Sequence, residues 1–406
     1  MATQFFVNGA VFASFLPRLP EIRDRVGIGL GTLGVLLTAA AAFGLLGSAA
    51  VGPLIGRFGT RGVLVAGALT MVVVLPLIGV ATTPWLLLVA LAAMSLLDVL
   101  VDVAMNLQGS WLSARRRVPV MNRLHGLWSL GTVAGGLVAS QAAATGVPLT
   151  AQLTVTSIVL LGAVVYVGRG LLAVDTPHEV AVVEPRWDEV ALADAGTGPA
   201  AGVGTGDPRD VAGAGEVARR GVGGRAVLVS FGVAGALAVM LEIVNTDWAA
   251  FRLGDDLGAG PGLAGLGFVA FTVGMTAGRF LGDSMVVRFG SDRVLRVACV
   301  VAFVGVCAAT LVPSRWVALA GYGLAGVGVA TFFPKLYDDG ARLGGRGGAG
   351  LGALTAGSRV SMLATPSAVG LLAATRLSVG TAVAVVALPA IVAFSVVATR
   401  LADHRR

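Results

Sequence analysis

Residues 52–61 read GPLIGRFGTR and separate two long stretches of the chain that contain no charged side chain. One stretch runs from Val26 to Gly56 and the other from Gly62 to Leu97. A membrane-spanning helix needs about 20 consecutive apolar residues, so each stretch is long enough to cross a bilayer. The arginines between them suit the lipid headgroups at its surface. We therefore interpret this region as membrane helices joined by a short charged turn.

The composition of the whole chain extends this interpretation. Hydrophobic residues make up 56% of the 406 residues and charged residues only 13%, which leaves too little polar surface to cover a soluble globular protein. The formal charge of +7 comes from arginine, with Lys335 as the only lysine, so the chain has no flexible polylysine arm. We expect a multi-pass membrane protein without a nucleic-acid partner.

The residues that usually hold metals or cofactors are scarce. Cys299 and Cys307 fall inside one apolar run without metal-ligand spacing, which indicates packing residues. Only three histidines occur, and His178 and His404 lie in polar segments, so they cannot build a metal cluster inside the membrane. The sequence also has no phosphate-binding loop of the Walker type. We expect no metal, no cofactor, no ATP drive and no enzymatic activity.

The apolar runs and their Gly, Pro and Arg boundaries predict twelve membrane spans. They cover residues 3–20, 31–51, 62–81, 85–108, 121–144, 149–170, 225–248, 261–282, 294–312, 315–336, 349–373 and 378–399.

The segment between the sixth and seventh spans has a different composition. Residues 174–224 carry nine of the 22 acidic residues together with many Gly, Ala and Pro. Such a segment cannot bury enough apolar area to fold alone. We therefore expect an N-terminal half at 1–173, a disordered cytoplasmic linker at 174–224, a C-terminal half at 225–399 and a cytoplasmic tail at 400–406.

The distribution of basic residues predicts the orientation, because loops rich in Lys and Arg stay in the cytoplasm. With both termini placed inside, most basic residues fall in cytoplasmic loops. The basic residues of the outer side are Arg18, Arg23, Arg25, Arg252, Arg315 and Arg376.

The turn at Arg57–Arg61 has a second copy, RFGSDR, at residues 288–293. On these two segments the chain resembles the major facilitator superfamily, whose signature loop follows the second helix of each half. The residues that match this loop are Gly52, Arg57, Gly59 and Arg61 in the first copy and Asp283, Arg288 and Gly290 in the second. The acidic residue usual before the first arginine is replaced by Gly56 and, in the second copy, by Val287. The resemblance implies two six-helix halves, related by an axis along the membrane normal, that rock about a central solute site.

A narrower resemblance concerns the YbjJ-type bacterial branch near the fucose permeases. It is carried by ASFLPRLPEIRD at 13–24, DVAMN at 102–106 and the segment from Phe271 to Asp283. This resemblance implies a monomeric permease in the bacterial cytoplasmic membrane. Residues 131–136, GTVAGG, partly resemble the antiporter motif of drug exporters, so export of a drug or metabolite stays open as an alternative.

Asp98 and Asp102 are the outstanding charged residues inside a predicted span. An ionisable group within the bilayer costs about 2.5 to 3.5 kcal/mol on insertion scales, so each requires a reason. Asp98, Asp102 and Asn106 follow one another at four-residue steps and so share one helix face. One hypothesis is a pair of carboxylates that binds the coupling proton, and the other is a structural pair with a buried cation, for which Arg123 and His125 are available.

The C-terminal half contributes its own candidates. Glu242 and Asn245 in the seventh span can reach the central cavity and orient a solute there. Asp247, near the end of the same span, can form an interfacial pair with Arg252. Arg359 in the eleventh span either extends to the headgroups, pairs with a carboxylate or binds an anionic solute.

These observations favour a secondary active carrier of a small organic solute, coupled to protons or to another solute. A membrane-embedded enzyme is disfavoured by the missing metal ligands. A transporter-like sensor is a third hypothesis, although no signalling domain is recognisable in the sequence.

Overall fold

The part of the chain that the structure describes is helical. The computed structural model describes residues 1–116, 120–171, 221–341 and 347–403. The predicted linker at 174–224 lies outside the described residues, apart from its last four, and so do residues 404–406 of the predicted tail. The helices are α1 (Ala2–Ala13), α2 (Leu19–Val26), α3 (Leu30–Val80), α4 (Pro84–Arg116), α5 (Met121–Ala144), α6 (Leu149–Gly168), α7 (Gly221–Asp247), α8 (Pro261–Phe289), α9 (Ser291–Leu311), α10 (Arg315–Val329), α11 (Phe332–Ala341), α12 (Gly347–Ala373) and α13 (Val379–Asp403).

Eight helical segments of the described chain are long and apolar enough to cross a membrane: α3, α4, α6, α7, α8, α9, α10 together with α11, and α13. The 51-residue α3 changes direction at Gly59, so it supplies two crossings. α1, α5 and α12 complete the predicted set. The all-α membrane fold of about twelve helices in two six-helix halves is thereby confirmed.

The first predicted span, 3–20, is not one continuous helix. α1 ends at Ala13, and a short 3-10 turn at Leu16–Arg18 leads into the separate helix α2. Pro17 has no N–H to donate, and its ring clashes with the carbonyl four residues earlier, so an α-helix does not continue through it. The consequence is a short helix, α2, at the end of the first crossing.

The turns at Gly59 and Gly290 have the same structure. Both glycines have positive φ angles, 72° and 81°, which residues with a side chain rarely adopt. The arginine two positions earlier stacks over the intervening phenylalanine ring in both copies, at 5.3 Å from guanidinium carbon to ring centroid. The internal repeat inferred from the sequence is therefore present in the backbone as well.

Each half packs mainly within itself, and the halves meet along two helix pairs. α3 packs on α4 and α6 in the first half, and α7 packs on α12 and α13 in the second. Between the halves, α3 contacts α12 and α5 contacts α8. Gly370 permits the first contact, since a Cβ added there would lie 2.7 Å from the carbonyl oxygen of Leu30. Gly136 permits the second, where an added Cβ would lie 3.0 Å from the Phe268 ring.

Candidate functional site

The connections between membrane crossings lie on two opposite faces, because successive crossings run in opposite directions. The turns at Gly59 and Gly290 lie on the same face as Met1 and Asp403, and we name this the terminal face. α2 and the π-helical turn Arg252–Asp256 lie on the other, which we name the α2 face. Candidate gating and binding residues can be located relative to these two faces.

The two halves close on each other at the α2 face. Arg23 of α2 forms an ion pair with Asp255 of the other half, and its guanidinium lies 5.3 Å from the centroid of the Phe251 ring. Deeper in the same seam, the Ser367 hydroxyl of α12 donates to the Thr38 hydroxyl of α3 at 2.8 Å. At the terminal face, by contrast, the ion pairs described are those of Lys335 and lie within one half.

Arg252 supports this closure from within the second half. Its guanidinium pairs with the Asp256 carboxylate at 3.0 Å and donates to the Val312 carbonyl at the same distance. Asp256 in turn accepts hydrogen bonds from the backbone N–H groups of Val379 and Gly380 at the start of α13. The predicted pair between Asp247 and Arg252 is therefore wrong, because the neighbouring turn offers Asp256 four residues after the arginine.

Asp98, Asp102 and Asn106 lie along one face of α4, as the four-residue spacing predicts. The Asn106 amide donates to the Asp102 carboxylate at 3.0 Å, and the Asn8 amide of α1 donates to Asp98 at 3.5 Å. Asp98 and Asn106 are half-buried, whereas the Asp102 side chain is exposed. Asp102 is therefore the accessible member of this row.

Arg359 of α12 faces these carboxylates from the opposite half. It interacts electrostatically with both Asp98 and Asp102, although none of the ion pairs described within 4 Å joins them. Asp98 and Arg359 each lie about 20 Å along their helix from the α2 face, at a rise of about 1.5 Å per residue. Arg359 therefore faces the carboxylates at mid-depth and does not extend to the headgroups. We name Asp98, Asp102 and Arg359 the central charge cluster.

The two cations that the sequence offered as partners of these carboxylates lie elsewhere. Arg123 and His125 are exposed near the start of α5. The His125 imidazole meets the Phe5 ring edge-on at 5.4 Å and interacts electrostatically with Arg279 of α8. The sequence offered pairing with a carboxylate as one role for Arg359, but it did not indicate Asp98 and Asp102, because no local pattern shows which face of α12 meets α4.

Glu242 and Asn245 lie near the α2-face end of α7. Asn245 is completely buried, and its amide donates to the Leu241 carbonyl of its own helix at 2.6 Å. Its side-chain oxygen has no hydrogen-bond partner among the described residues. Glu242 is half-buried and interacts electrostatically with Asp247. No described contact brings either residue together with the central charge cluster.

The signature-loop residues have mainly structural contacts. Gly52 and Arg57 are exposed, and Arg61 donates to the Gly168 carbonyl at the end of α6 at 2.8 Å. Gly59 forms the turn itself. In the second copy Arg288 and Gly290 repeat the stacking and the turn, while the side chain of Asp283 is not among those described.

Sequence reasoning missed the residues that brace each turn. The buried Gln108 amide of α4 donates to the Thr60 hydroxyl at 2.9 Å. The only lysine, Lys335, donates to the Ser291 hydroxyl at 3.0 Å in the second half and pairs with Asp292 at 3.2 Å. Lys335 also pairs with Asp339 at 3.3 Å. The four-residue spacing of Lys335 and Asp339 indicates this last pair in the sequence, whereas no local pattern indicates the contact between Gln108 and Thr60.

Two halves packed around a charged centre and closed at one face define a polytopic membrane transporter. The chain belongs to the major facilitator superfamily, whose family model matches residues 1–246. An uncharacterised transporter of this superfamily from Yersinia pestis is 26% identical over 334 residues, which cover 82% of this chain and 77% of the relative. The membrane protein MosC of Rhizobium meliloti is 27% identical over 343 residues, which cover 84% of this chain and 75% of that protein.

A solved structure has the same fold. The nucleoside transporter NupG superimposes with a TM-score of 0.69 over 99% of this chain and 97% of its own, at 13% sequence identity. Its membership of the major facilitator superfamily makes the chain an integral, multi-pass membrane transporter of small solutes and not an enzyme. No group of His, Cys, Asp and Glu suited to a metal ion occurs among the residues described.

Proposed function

We propose that this protein is a proton-coupled secondary transporter of a small organic solute that works by alternating access as a monomer. The bacterial cytoplasmic membrane is its proposed location, with both termini in the cytoplasm. The orientation is supported by the arginines that lie at the terminal face, since loops rich in basic residues stay inside. They include Arg57, Arg61, Arg115, Arg116, Arg288, Arg293 and Arg296.

The central charge cluster is the observation that carries this proposal. Two carboxylates of one half, Asp98 and Asp102, interact with one cation of the other half, Arg359. Rocking of the halves changes the distance between these charges, so their interaction energy depends on the conformational state. A proton bound at Asp102 removes its attraction to Arg359 and thereby favours one state over the other. Proton binding and rocking are linked through this difference.

The closed α2 face supports alternating access as the mechanism. With the termini in the cytoplasm, the α2 face is extracellular, and its closure by Arg23 and Asp255 leaves the exposed Asp102 open to the inside. Transport then requires this ion pair to separate while the opposite face closes. Arg23 and Asp255 are the proposed extracellular gate.

Export as the transport direction receives less support. The glycines at 131 and 135 of the antiporter-like segment lie against the α1 backbone, near the carbonyls of Phe6 and Ala10. Close helix packing accounts for both glycines without a role in export. The segments at 13–24, 102–106 and 271–283 support the fucose-permease-like branch, and uptake of a small organic solute is the proposed activity.

A two-stage experiment tests this function. The purified protein is first screened for thermal stabilisation by sugars, amino acids and hydrophobic amines, because a ligand that binds the folded state raises the melting temperature. The stabilising compound is then offered to proteoliposomes with an imposed proton gradient. Accumulation above the external concentration is the expected result. Facilitated diffusion that ignores the gradient would contradict proton coupling, and binding without flux would favour a sensor.

A further inference from the structure

A crevice opens on the outer surface of the C-terminal half, away from the central charge cluster. It has a volume of about 390 Å³ and lies between α8, α9 and α10. Apolar side chains of all three helices line it, among them Leu281, Met285, Phe289, Val297, Val301 and Val327.

Glycines shape the floor of this crevice. A Cβ added at Gly278 would lie 2.6 Å from the Ala330 side chain, so α8 and the end of α10 approach closely there. At Gly282 an added Cβ would meet only the Thr331 methyl group, at 3.2 Å, which leaves the space above it open. The Thr331 hydroxyl is buried without a hydrogen-bond partner among the described residues. The crevice therefore arises from the close approach of α8 and the end of α10.

The surface around the crevice is strongly apolar. Leu281 is 56% exposed, Val297 is 58% exposed, and the adjacent Phe280 is 68% exposed. On the outside of a membrane-spanning bundle such side chains contact lipid. The apolar groups present at high concentration around this surface are the acyl chains of the bilayer lipids.

The end of the crevice nearest the terminal face carries positive charge. Arg293 lines the crevice just beyond the turn at Gly290. The Arg288 guanidinium stacks 5.3 Å from the centroid of the Phe289 ring, which is itself a lining side chain. Both arginines are exposed at the depth of the lipid headgroups, where cations attract anionic lipids. Guanidinium groups also hydrogen-bond phosphate oxygens in pairs.

We propose that this crevice binds one anionic phospholipid, with an acyl chain along α8 and α9 and the phosphate between Arg288 and Arg293. The site combines an apolar crevice with two arginines at its terminal-face end. The crevice suits an acyl chain of phosphatidylglycerol, and the arginines suit its phosphate. This proposal is independent of the transported solute and of proton coupling.

Native mass spectrometry of the detergent-purified protein, titrated with phosphatidylglycerol or phosphatidylcholine, tests the proposal. We expect tight retention of one phosphatidylglycerol and no comparable retention of phosphatidylcholine. Arg293→Gln should weaken the phosphatidylglycerol affinity about fivefold, as expected for one cation near an anionic headgroup. Gly282→Leu, which fills the crevice, should abolish retention. Arg57→Gln is the control, because Arg57 stacks on Phe58 in the other half as Arg288, the second proposed phosphate ligand, stacks on Phe289; its removal should change nothing.

A second measurement does not depend on the folding of any variant. Phosphatidylglycerol with a photoreactive group on its acyl chain is crosslinked to the unmodified protein in lipid nanodiscs, and the labelled peptides are identified. Labelling within residues 281–289 and 294–301 that unlabelled phosphatidylglycerol suppresses is the expected result. Equal labelling by the phosphatidylcholine probe, or an equal loss of affinity in Arg57→Gln and Arg293→Gln, would overturn the proposal.

Discussion

Replacing Asp255 by asparagine should loosen the α2 face without stranding a cation. Arg23 loses its partner in the opposite half but keeps Asp24 at 2.6 Å in its own half and the Phe251 ring below it. The side chains of Arg23 and Asp255 are 15% and 28% exposed, so solvent screens their interaction only in part. We therefore take the upper end of the range for exposed ion pairs, about 1 kcal/mol.

This free energy changes the balance of conformations. At about 0.6 kcal/mol for RT, a loss of about 1 kcal/mol raises the ratio of open to closed α2 faces about fivefold. Spin labels on cysteines introduced at Thr82 and Arg315, exposed at this face in opposite halves, report that ratio as a distance distribution. Cys299 and Cys307 are replaced by alanine in this background.

The matched control is Asp24→Asn. It makes the same charge change beside the same arginine, but Asp24 is 65% exposed and belongs to the same half as Arg23. We expect its distance distribution to match that of the parent protein. An unchanged distribution in Asp255→Asn, or an equal change in both variants, would refute the assignment of Arg23 and Asp255 as the gate.

Three further predictions concern topology, linker and turn. On intact cells an impermeant thiol reagent should label a cysteine at Gly260, which is exposed at the α2 face, and spare one at Gly56; the reverse pattern would overturn the orientation. Shortening the 174–224 segment by about 20 residues should leave transport intact, because its composition predicts a disordered tether, which only has to span the gap; loss of uptake with normal insertion would assign it a specific role. Thr60→Val removes the buried hydrogen bond from Gln108 and should cost about 0.5 to 1.5 kcal/mol of unfolding free energy, whereas Thr145→Val, at an exposed hydroxyl, should not lower the melting temperature.

The sequence was sufficient where local pattern determines the structure. Uncharged stretches of about 20 residues predict membrane helices because the bilayer sets their length. The repeated arginine, phenylalanine and glycine at 57–59 and 288–290 predict the paired turns, which the positive φ angles of Gly59 and Gly290 confirm. Helical spacing likewise placed Asp98, Asp102 and Asn106 on one face.

The sequence was insufficient where contacts join distant segments. Arg359 meets Asp98 and Asp102 because α12 and α4 belong to halves whose relative rotation no local pattern encodes. The break after α1 was in principle readable, since Pro17 and Pro20 both lie within the predicted span 3–20. The partner of Arg252 was missed because the π-helical turn, which lies between two predicted spans, places Asp256 beside the arginine.

The two hypotheses for Asp102 make different predictions for the same substitution. If Asp102 binds the coupling proton, asparagine mimics the protonated carboxyl, and the protein folds normally. If Asp102 is a structural partner of Arg359, the substitution weakens the interaction that holds this cation and lowers the stability of the folded protein. Low expression would follow, and Arg359→Gln in the same chain should restore it. Asp98→Asn should have a milder effect, because it relieves the repulsion between the carboxylates.

Transport by Asp102→Asn in proteoliposomes tests whether Asp102 binds the coupling proton. Solute accumulation is measured with an inward proton gradient, and exchange of labelled for unlabelled solute is measured without a gradient. The transported compound is the one that the stabilisation screen identifies. We expect Asp102→Asn to exchange solute at a rate near that of the parent protein and not to concentrate it. A well-folded Asp102→Asn protein that still accumulates solute against its gradient would contradict both hypotheses for Asp102 and leave Glu242 as the next candidate for proton coupling.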